Sequence, residues 1–220
     1  MSSATPLPVD PEGVITVGID EVGRGSVYGP VVVGACANLR HWHHDEVRDS
    51  KKVGKKKRQG LASLIKQNTR TTLQWGHAWL INERMLAGQS FADVIRELMQ
   101  RCIDQTDHVL SHQRLPVRYV VDGQPLDLFS RVGTIEFMEK GDNNVFAIAA
   151  AAIAAKVAHD DWISERVKAD PSLGDKYGLK TNAGYGTPPH IRGLAEHGLT
   201  DEHRVVFAET AIRRYHEKKT

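Results

Sequence analysis

Apolar and polar residues alternate near the start of the chain in a pattern that predicts two β-strands. Ile15, Val17 and Ile19 fall on one face of the segment 13–19, and the segment 30–37 is rich in valine. A period of two residues is typical of a strand with one buried face. The two predicted strands flank a glycine-rich connection, so the chain opens with a hairpin-like pattern.

Farther along, apolar residues recur every three or four positions, which predicts helices. One such stripe runs from 83 to 104 with a break near Gly88, and an alanine-rich helix is predicted from about 145 to 167. Two more β-rich runs are predicted as strands, at 71–80 and 117–121. A long helix before a strand can serve as the crossover to a parallel neighbour. The pattern therefore indicates an α/β protein with a mixed sheet.

The length of 220 residues fits one compact domain. We expect residues 1–12 to form a flexible N-terminal tail, because they carry three prolines and no apolar run. Residues 13–220 are then a single domain, with a C-terminal helical extension from about residue 171.

Composition excludes several classes of protein. The formal charge of +2 does not by itself indicate nucleic-acid binding. Cys36 and Cys102 lie far apart, which argues against a disulfide framework or a thiolate zinc site and favours a reducing compartment, the cytoplasm. The longest apolar run, 145–155, is 11 residues, against roughly 20 for a membrane span. We therefore expect no contact with a membrane.

Acidic residues stand at the ends of the predicted elements. Asp20 and Glu21 end the first strand, Asp122 ends a later one, and Asp142 precedes the alanine-rich helix. Two carboxylates about 4 Å apart repel by about 4 kcal/mol at an effective dielectric of 20, so such a cluster must hold protons or bind cations. Carboxylate oxygens suit Mg²⁺ or Mn²⁺, and two such ions can bracket a phosphodiester, with Asp20 as the bridging ligand. The alternative is that these acids are solvated turn or capping residues.

A glycine-rich segment follows the first two acids. Its glycines at 23, 25 and 29 match the dinucleotide-binding fingerprint imperfectly, and a strand rather than a helix is predicted after them. Glycine here is better explained by a close approach of the backbone to a ligand.

Several short blocks of sequence follow one another over residues 13–210. These blocks are Gly18–Gly25 with Gly29 and Pro30, Asp49–Lys52 with Lys57 and Arg58, Val121–Gly123, Lys140–Asp142, Ile153–Val157 with Asp160, Gly184–Thr187 with His190, and His203 and Arg204 with Phe207. In these blocks and their order the sequence resembles a known family, the ribonucleases HII or type 2 ribonucleases H.

The resemblance implies a ribonuclease H-like fold, with a five-stranded mixed sheet flanked by helices and a C-terminal helical extension. It implies an endoribonuclease that hydrolyses the RNA strand of RNA/DNA hybrids and incises 5′ to ribonucleotides embedded in duplex DNA. The products carry 3′-hydroxyl and 5′-phosphate ends, and two Mg²⁺ or Mn²⁺ ions are expected with substrate.

Site residues follow from the same resemblance. Four acids match the family's catalytic and metal-binding positions: Asp20, Glu21, Asp122 and Asp142. Gly23, Arg24 and Gly25 match the loop that senses the ribose 2′-hydroxyl, and Tyr185 matches a tyrosine that packs on the neighbouring deoxyribose. The chain departs from the family pattern at Ala152, His159 and Val206, where serine, arginine and serine are usual.

A basic run from Lys51 to Arg58 has six basic residues in eight positions. Taken alone, such a run is typical of a solvated surface loop. Beside a phosphodiester site it is a candidate for binding the phosphates of the duplex backbone, and Lys51 is the preferred contact.

The expected partners are RNA/DNA hybrids and ribonucleotide-containing duplex DNA, and the protein is expected to be a monomer. No sliding-clamp contact is legible in the sequence. The alternative function is an RNA/DNA-hybrid-binding module with lost or weak catalysis.

Overall fold

The computed structural model describes residues 7, 10–48, 50 and 53–217. Its strands are β1 (Ile15–Val22), β2 (Val31–Ala37), β3 (Arg70–Gly76), β4 (Val117–Asp122) and β5 (Gly133–Met138). Its helices are α1 (Lys55–Asn68), α2 (Ala78–Leu86), α3 (Phe91–Leu110), α4 (Phe146–Ala169), α5 (Ser172–Tyr177), α6 (Leu179–Asn182), α7 (Pro188–His197) and α8 (Val205–Glu217). A short 3₁₀ turn, Gly141–Asn143, precedes α4.

The strands form one sheet in the order β3-β2-β1-β4-β5. β1 is antiparallel to β2 and parallel to β4, and β4 is parallel to β5. The five-stranded mixed sheet flanked by helices is confirmed. The strand predicted at 71–80 is too long, because β3 ends at Gly76 and Ala78 begins α2. Ala78 and Ile81 are buried three residues apart, which is the spacing of a helix face.

The chain forms two compact units. The first contains the described residues of 1–22, 32–74 and 96–157, and the second contains 23–31, 75–95 and 158–217. Among the described residues no helix is both long and apolar enough to cross a membrane.

In the first unit, the alanine-rich start of α4 packs directly against the sheet. A Cβ atom at Gly18 of β1 would lie 2.1 Å from the backbone of Ala147, and one at Gly34 of β2 would lie 2.8 Å from the carbonyl oxygen of Ala151. Only glycine permits this approach, and small alanines face it from the helix. The contact places the turn before α4 close to the end of β1.

In the second unit, apolar side chains from the glycine-rich segment and from the C-terminal helices share one core. This core comprises Val27, Tyr28, Ile163, Tyr177, Leu179, Leu194 and Ala208. The residues after β1 therefore pack with the helical C-terminal part of the chain.

Candidate active site

Three of the four predicted acids lie at the end of neighbouring elements in the first unit. The register of β1 and β4 pairs Ile19 with Val121, so Asp20 and Asp122 follow paired residues on adjacent parallel strands. Asp142 lies in the 3₁₀ turn, which contacts β4. Asp20 and Asp142 are each 8% exposed.

A backbone hydrogen bond ties the turn to the strand. The N–H of Gly141 donates to Oδ1 of Asp122 at 2.6 Å. Because Asp142 is the next residue, this bond holds the Asp142 turn against the end of β4. The carboxylates of Asp122 and Asp142 are therefore positioned by one short contact.

The carboxyl of Asp20 is affected by burial and by the other three acids. Burial raises the pKa of Asp20 well above its usual value, and the negative charges of Glu21, Asp122 and Asp142 raise this pKa further. The N–H of Glu21 donates to Oδ1 of Asp20 at 2.7 Å and favours the charged form, but it does not reverse the shift. Ionised Asp20 is thus costly unless a cation lies nearby.

The donor chemistry of these acids fits Mg²⁺ or Mn²⁺, which prefer carboxylate oxygens. The side-chain positions do not form a finished cage, since no three His, Cys, Asp or Glu side chains in the described ranges are arranged to hold an ion together. Asp20 and Glu21 are consecutive in a strand, so their side chains leave opposite faces of the sheet. A bound ion therefore requires side-chain adjustment, or a backbone carbonyl in place of the Glu21 carboxylate.

The predicted glycine loop, residues 23–25, begins the second unit. Gly23 has φ of 85°, and a Cβ atom there would lie 2.8 Å from the carbonyl oxygen of Pro30 and 2.8 Å from Nε2 of His159. Gly25 is different, because a Cβ atom at that position would have Tyr185 Cε1, at 4.0 Å, as its nearest neighbour. The fold requires glycine at 23 but leaves space open beside Gly25. Arg24, between them, is exposed.

The structure brings Tyr185 and the glycine loop together within this unit. Ser26 and Tyr185 form an isolated antiparallel bridge, and the N–H groups of Val27 and Tyr28 donate to the carbonyl of Gly184 at 2.9 and 3.1 Å. Tyr185 is half-buried. Its ring therefore borders the open space next to Gly25.

Two residues of the basic run make contacts within the protein. Lys57 forms an ion pair with Glu46, and Arg58 donates to the carbonyl of Ser50 at 2.7 Å. Lys55 and Lys56 are exposed at the start of α1. Lys51 lies outside the described residues, so its predicted role is not visible here.

The three departures from the family pattern have different surroundings. Ala152 is buried in α4. His159 is fully buried behind the glycine loop, with its ring 6.2 Å from that of Tyr185. Val206 borders a largely apolar cavity of about 810 Å³ in the second unit, which Gly25 also lines.

One residue in the second unit received no role from sequence reasoning. Arg204 is fully buried, and its guanidinium donates to backbone carbonyls of the glycine-rich segment. Its partners lie more than 170 positions away in sequence, so no local pattern reports them.

Comparison with known proteins identifies the family. The family model for ribonuclease HII matches residues 17–210. Ribonuclease HII of Pelagibacter ubique strain HTCC1062 is 31% identical over 194 residues, which cover 88% of this chain and 96% of the relative. The chain belongs to the ribonuclease HII family. It is a type 2 ribonuclease H, a hydrolase of a metal-dependent family that acts on RNA/DNA hybrids.

Solved structures agree on the ribonuclease H-like fold. The crystal structure of Bst-RNase HIII in complex with Mn²⁺ superposes with a TM-score of 0.71 at 15% identity, covering 91% of this chain and 70% of that one. The RNase HII of the PCNA:RNase HII complex from Archaeoglobus fulgidus gives 0.62 at 25% identity, covering 86% and 91%. The predictions of family, fold and enzyme class are confirmed. The roles of individual site residues stay predictions.

Proposed function

We propose that this ribonuclease HII incises duplex DNA on the 5′ side of embedded ribonucleotides and cleaves the RNA strand of RNA/DNA hybrids. The products carry 3′-hydroxyl and 5′-phosphate ends. The observation that carries the proposal is the electrostatic coupling of Asp20 to Glu21, Asp122 and Asp142 at the ends of β1 and β4. Three acids that repel the charge of a fourth, buried carboxyl are suited to divalent cations and unsuited to a purely structural role.

The acids are proposed to hold two divalent ions when substrate is bound. Such ions activate the attacking water and stabilise the leaving oxygen of a phosphodiester. Asp20 is the proposed bridging ligand because the other three acids all act on its carboxyl. The Gly141 N–H fixes one oxygen of Asp122, which leaves the other oxygen for the ligand role.

The second unit is proposed to supply the recognition of ribose. A 2′-hydroxyl is the only group that distinguishes a ribonucleotide sugar from its deoxy counterpart, so the reader must come very close to it. The open space at Gly25 allows backbone approach to the sugar. Tyr185 borders the same space, and its flat ring suits packing on the adjacent deoxyribose.

The test is cleavage of a DNA duplex that carries one ribonucleotide, with Mg²⁺, with Mn²⁺ and with EDTA. We expect one metal-dependent nick 5′ to the ribonucleotide and none in the all-DNA duplex. Asp122→Asn should abolish the nick, because its amide keeps the Gly141 hydrogen bond but loses the charge that binds cations. The matched control is Glu136→Gln on the exposed edge strand β5, which should cleave normally. Binding without cleavage by the unaltered protein would favour the hybrid-binding module instead.

A further inference from the structure

Arg204 reaches the glycine-rich segment at two points. Its Nε donates to the carbonyl of Gly29 at 2.9 Å, and its Nη1 donates to the carbonyl of Gly23 at 2.7 Å, with a longer contact of 3.4 Å to the carbonyl of Arg24. One planar guanidinium thus joins the start of the glycine loop, residues 23–25, to Gly29 in the same glycine-rich segment. Its geometry fixes the distance between these carbonyls.

The environment of Arg204 is unusual for a cation. The side chain is fully buried, and no ion pair with a carboxylate is present within residues 53–217. Burial lowers its pKa to about 9, which still leaves it charged at neutral pH. The rings of Phe91 and Phe207 lie 5.5 and 5.7 Å from its central carbon. Carbonyl dipoles and aromatic faces therefore stabilise this charge. If the guanidinium is removed, the carbonyl of Gly29 loses this donor, and the carbonyl of Gly23 keeps the N–H of Ser26 at 3.2 Å.

The preceding residue, His203, is connected by hydrogen bonds to Tyr185, the other residue that is proposed to pack on the substrate. The Thr200 N–H donates to Nδ1 of His203 at 2.8 Å, so the proton of this neutral ring is on Nε2. That Nε2 lies 3.2 Å from Nε2 of His190, whose Nδ1 lies 3.0 Å from the carbonyl of Tyr185. Each of these contacts is a hydrogen bond when Nε2 of His203 donates to Nε2 of His190 and Nδ1 of His190 donates to the carbonyl of Tyr185.

The backbone of this pair is also held firmly. The N–H of Arg204 donates to the carbonyl of Val27 at 2.9 Å. The side chain of Asn82 donates to the carbonyl of His203 and accepts from the N–H of Val205. Of two adjacent side chains on one fixed segment, Arg204 therefore contacts the glycine-rich segment directly, and His203 is linked to the Tyr185 carbonyl through His190.

We propose that His203 and Arg204 are positioning residues that together set the glycine loop and Tyr185 in the geometry that recognises a ribonucleotide junction. Arg204 acts directly on the loop carbonyls, and His203 acts on Tyr185 through His190. Neither residue touches the substrate. The proposal rests on the proposed function, because it concerns the same substrate-contacting segments.

Arg204→Met tests the arm that reaches the glycine loop. Methionine keeps an apolar stem between the two phenylalanine rings but donates no hydrogen bond. With the single-ribonucleotide duplex we expect kcat to fall about 100-fold, the effect of a misplacement near 1 Å. KM should change by less than about threefold. Arg204→Lys should be equally defective, since one ammonium cannot span the carbonyls of Gly23 and Gly29.

Leu194→Ala is the matched control for stability, because Leu194 is buried in the core of the second unit, against which Phe207 packs, and its side chain can donate no hydrogen bond to the loop carbonyls. Each variant is assayed at least 15 °C below its own melting temperature. Leu194→Ala should lower the melting temperature while kcat stays within about threefold of the unaltered protein. Equal kcat losses in Leu194→Ala and Arg204→Met would show a general structural role and overturn the proposal.

The Tyr185 arm is tested by a pair of changes at His190. His190→Phe removes the side-chain donor to the Tyr185 carbonyl and leaves the Thr187 N–H, which donates to the same carbonyl at 2.8 Å. His190→Gln supplies an amide N–H in place of the imidazole. We expect His190→Phe to reduce the preference for a single-ribonucleotide duplex over a uniform RNA/DNA hybrid by at least fivefold, and His190→Gln to restore most of it. An unchanged preference in His190→Phe would contradict this arm.

Failure of this inference differs from failure of the proposed function. If the unaltered protein does not incise the single-ribonucleotide duplex, the proposed function fails. If it incises and Arg204→Met retains its kcat, only the positioning role fails.

Discussion

Gly25→Ala separates the requirements of the fold from those of the substrate. The structure places the nearest atom to a Cβ at this position 4.0 Å away, on the ring of Tyr185, and the backbone there is not left-handed. The folded protein therefore has room for a methyl group. If the ribose approaches the backbone at Gly25, the same methyl group occupies the space that the sugar needs.

The two effects are expected to have opposite signs. Replacing a glycine by alanine in a permitted conformation stabilises a protein by about 0.4–1 kcal/mol, because the unfolded chain loses freedom. In a domain of this size that corresponds to a rise in melting temperature of roughly 1–4 °C. Cleavage of the junction should instead fall about 100-fold, the usual consequence of displacing reacting groups by about 1 Å.

Gly23→Ala provides the contrast two residues earlier. Its φ of 85° and the 2.8 Å approach to the Pro30 carbonyl oxygen make alanine strained at this position. Gly23→Ala should therefore lose both stability and activity.

The assay combines thermal unfolding with initial rates on a labelled duplex that carries one ribonucleotide. Binding to the same duplex is measured in EDTA, where cleavage does not proceed. For Gly25→Ala we expect an unchanged or higher melting temperature, duplex affinity within a few-fold, and a large loss of kcat. A Gly25→Ala protein that cleaves at the normal rate would refute close approach of the sugar at this residue.

Three further predictions concern charge. Asp20→Asn should raise the melting temperature of the metal-free protein in EDTA, because the amide keeps the hydrogen bond from the Glu21 N–H and removes a disfavoured charge. A lower melting temperature would show that the other acids do not destabilise ionised Asp20. Burial lowers the pKa of His203 to about 3, so between about pH 6.5 and 3 the unfolded chain binds more protons than the folded one. The free energy of unfolding, measured by urea denaturation, should therefore fall as the pH is lowered, by up to about 1.4 kcal/mol per pH unit for this group, and His203→Gln should flatten this dependence. Neutralising the exposed Lys55 and Lys56 together should reduce the slope of log K for duplex binding against log salt by up to about 2, whereas an unchanged slope would mean that neither contacts phosphate.

Much of the sheet could be predicted from sequence because its central strands are buried. β1, β2 and β4 carry continuous or alternating apolar residues, and their positions agree closely with the predicted runs. The apolar pattern did not predict β5, because this strand lies at the edge of the sheet and all its residues are at least partly exposed. The prediction of a fifth strand came only through the family resemblance. The break at Gly88 was correctly placed, since Gly88 lies between α2 and α3 with a φ of 89°.

Asp20, Glu21 and Asp122 could be chosen as candidates because they lie at the ends of strands that the local pattern predicts, and Asp142 because it precedes the predicted alanine-rich helix. Contacts between segments far apart in the sequence could not be predicted in this way. Arg204 and His190 act through hydrogen bonds to backbone carbonyls, which any residue type provides, so the sequence of their partners carries no sign of the contact. Arginine is usually an exposed residue, so the sequence predicts a surface position for Arg204, and only the structure shows that it is buried.

Asp20, Glu21, Asp122 and Asp142 are proposed to act together to bind divalent ions. The most direct test of this proposal is a titration of Mn²⁺, followed by electron paramagnetic resonance, with the unaltered protein and with Asp20→Asn and Glu136→Gln. We predict that Asp20→Asn weakens Mn²⁺ binding at least tenfold, while Glu136→Gln binds as the unaltered protein does. Equal affinity for Mn²⁺ in the unaltered and Asp20→Asn proteins would contradict the proposal.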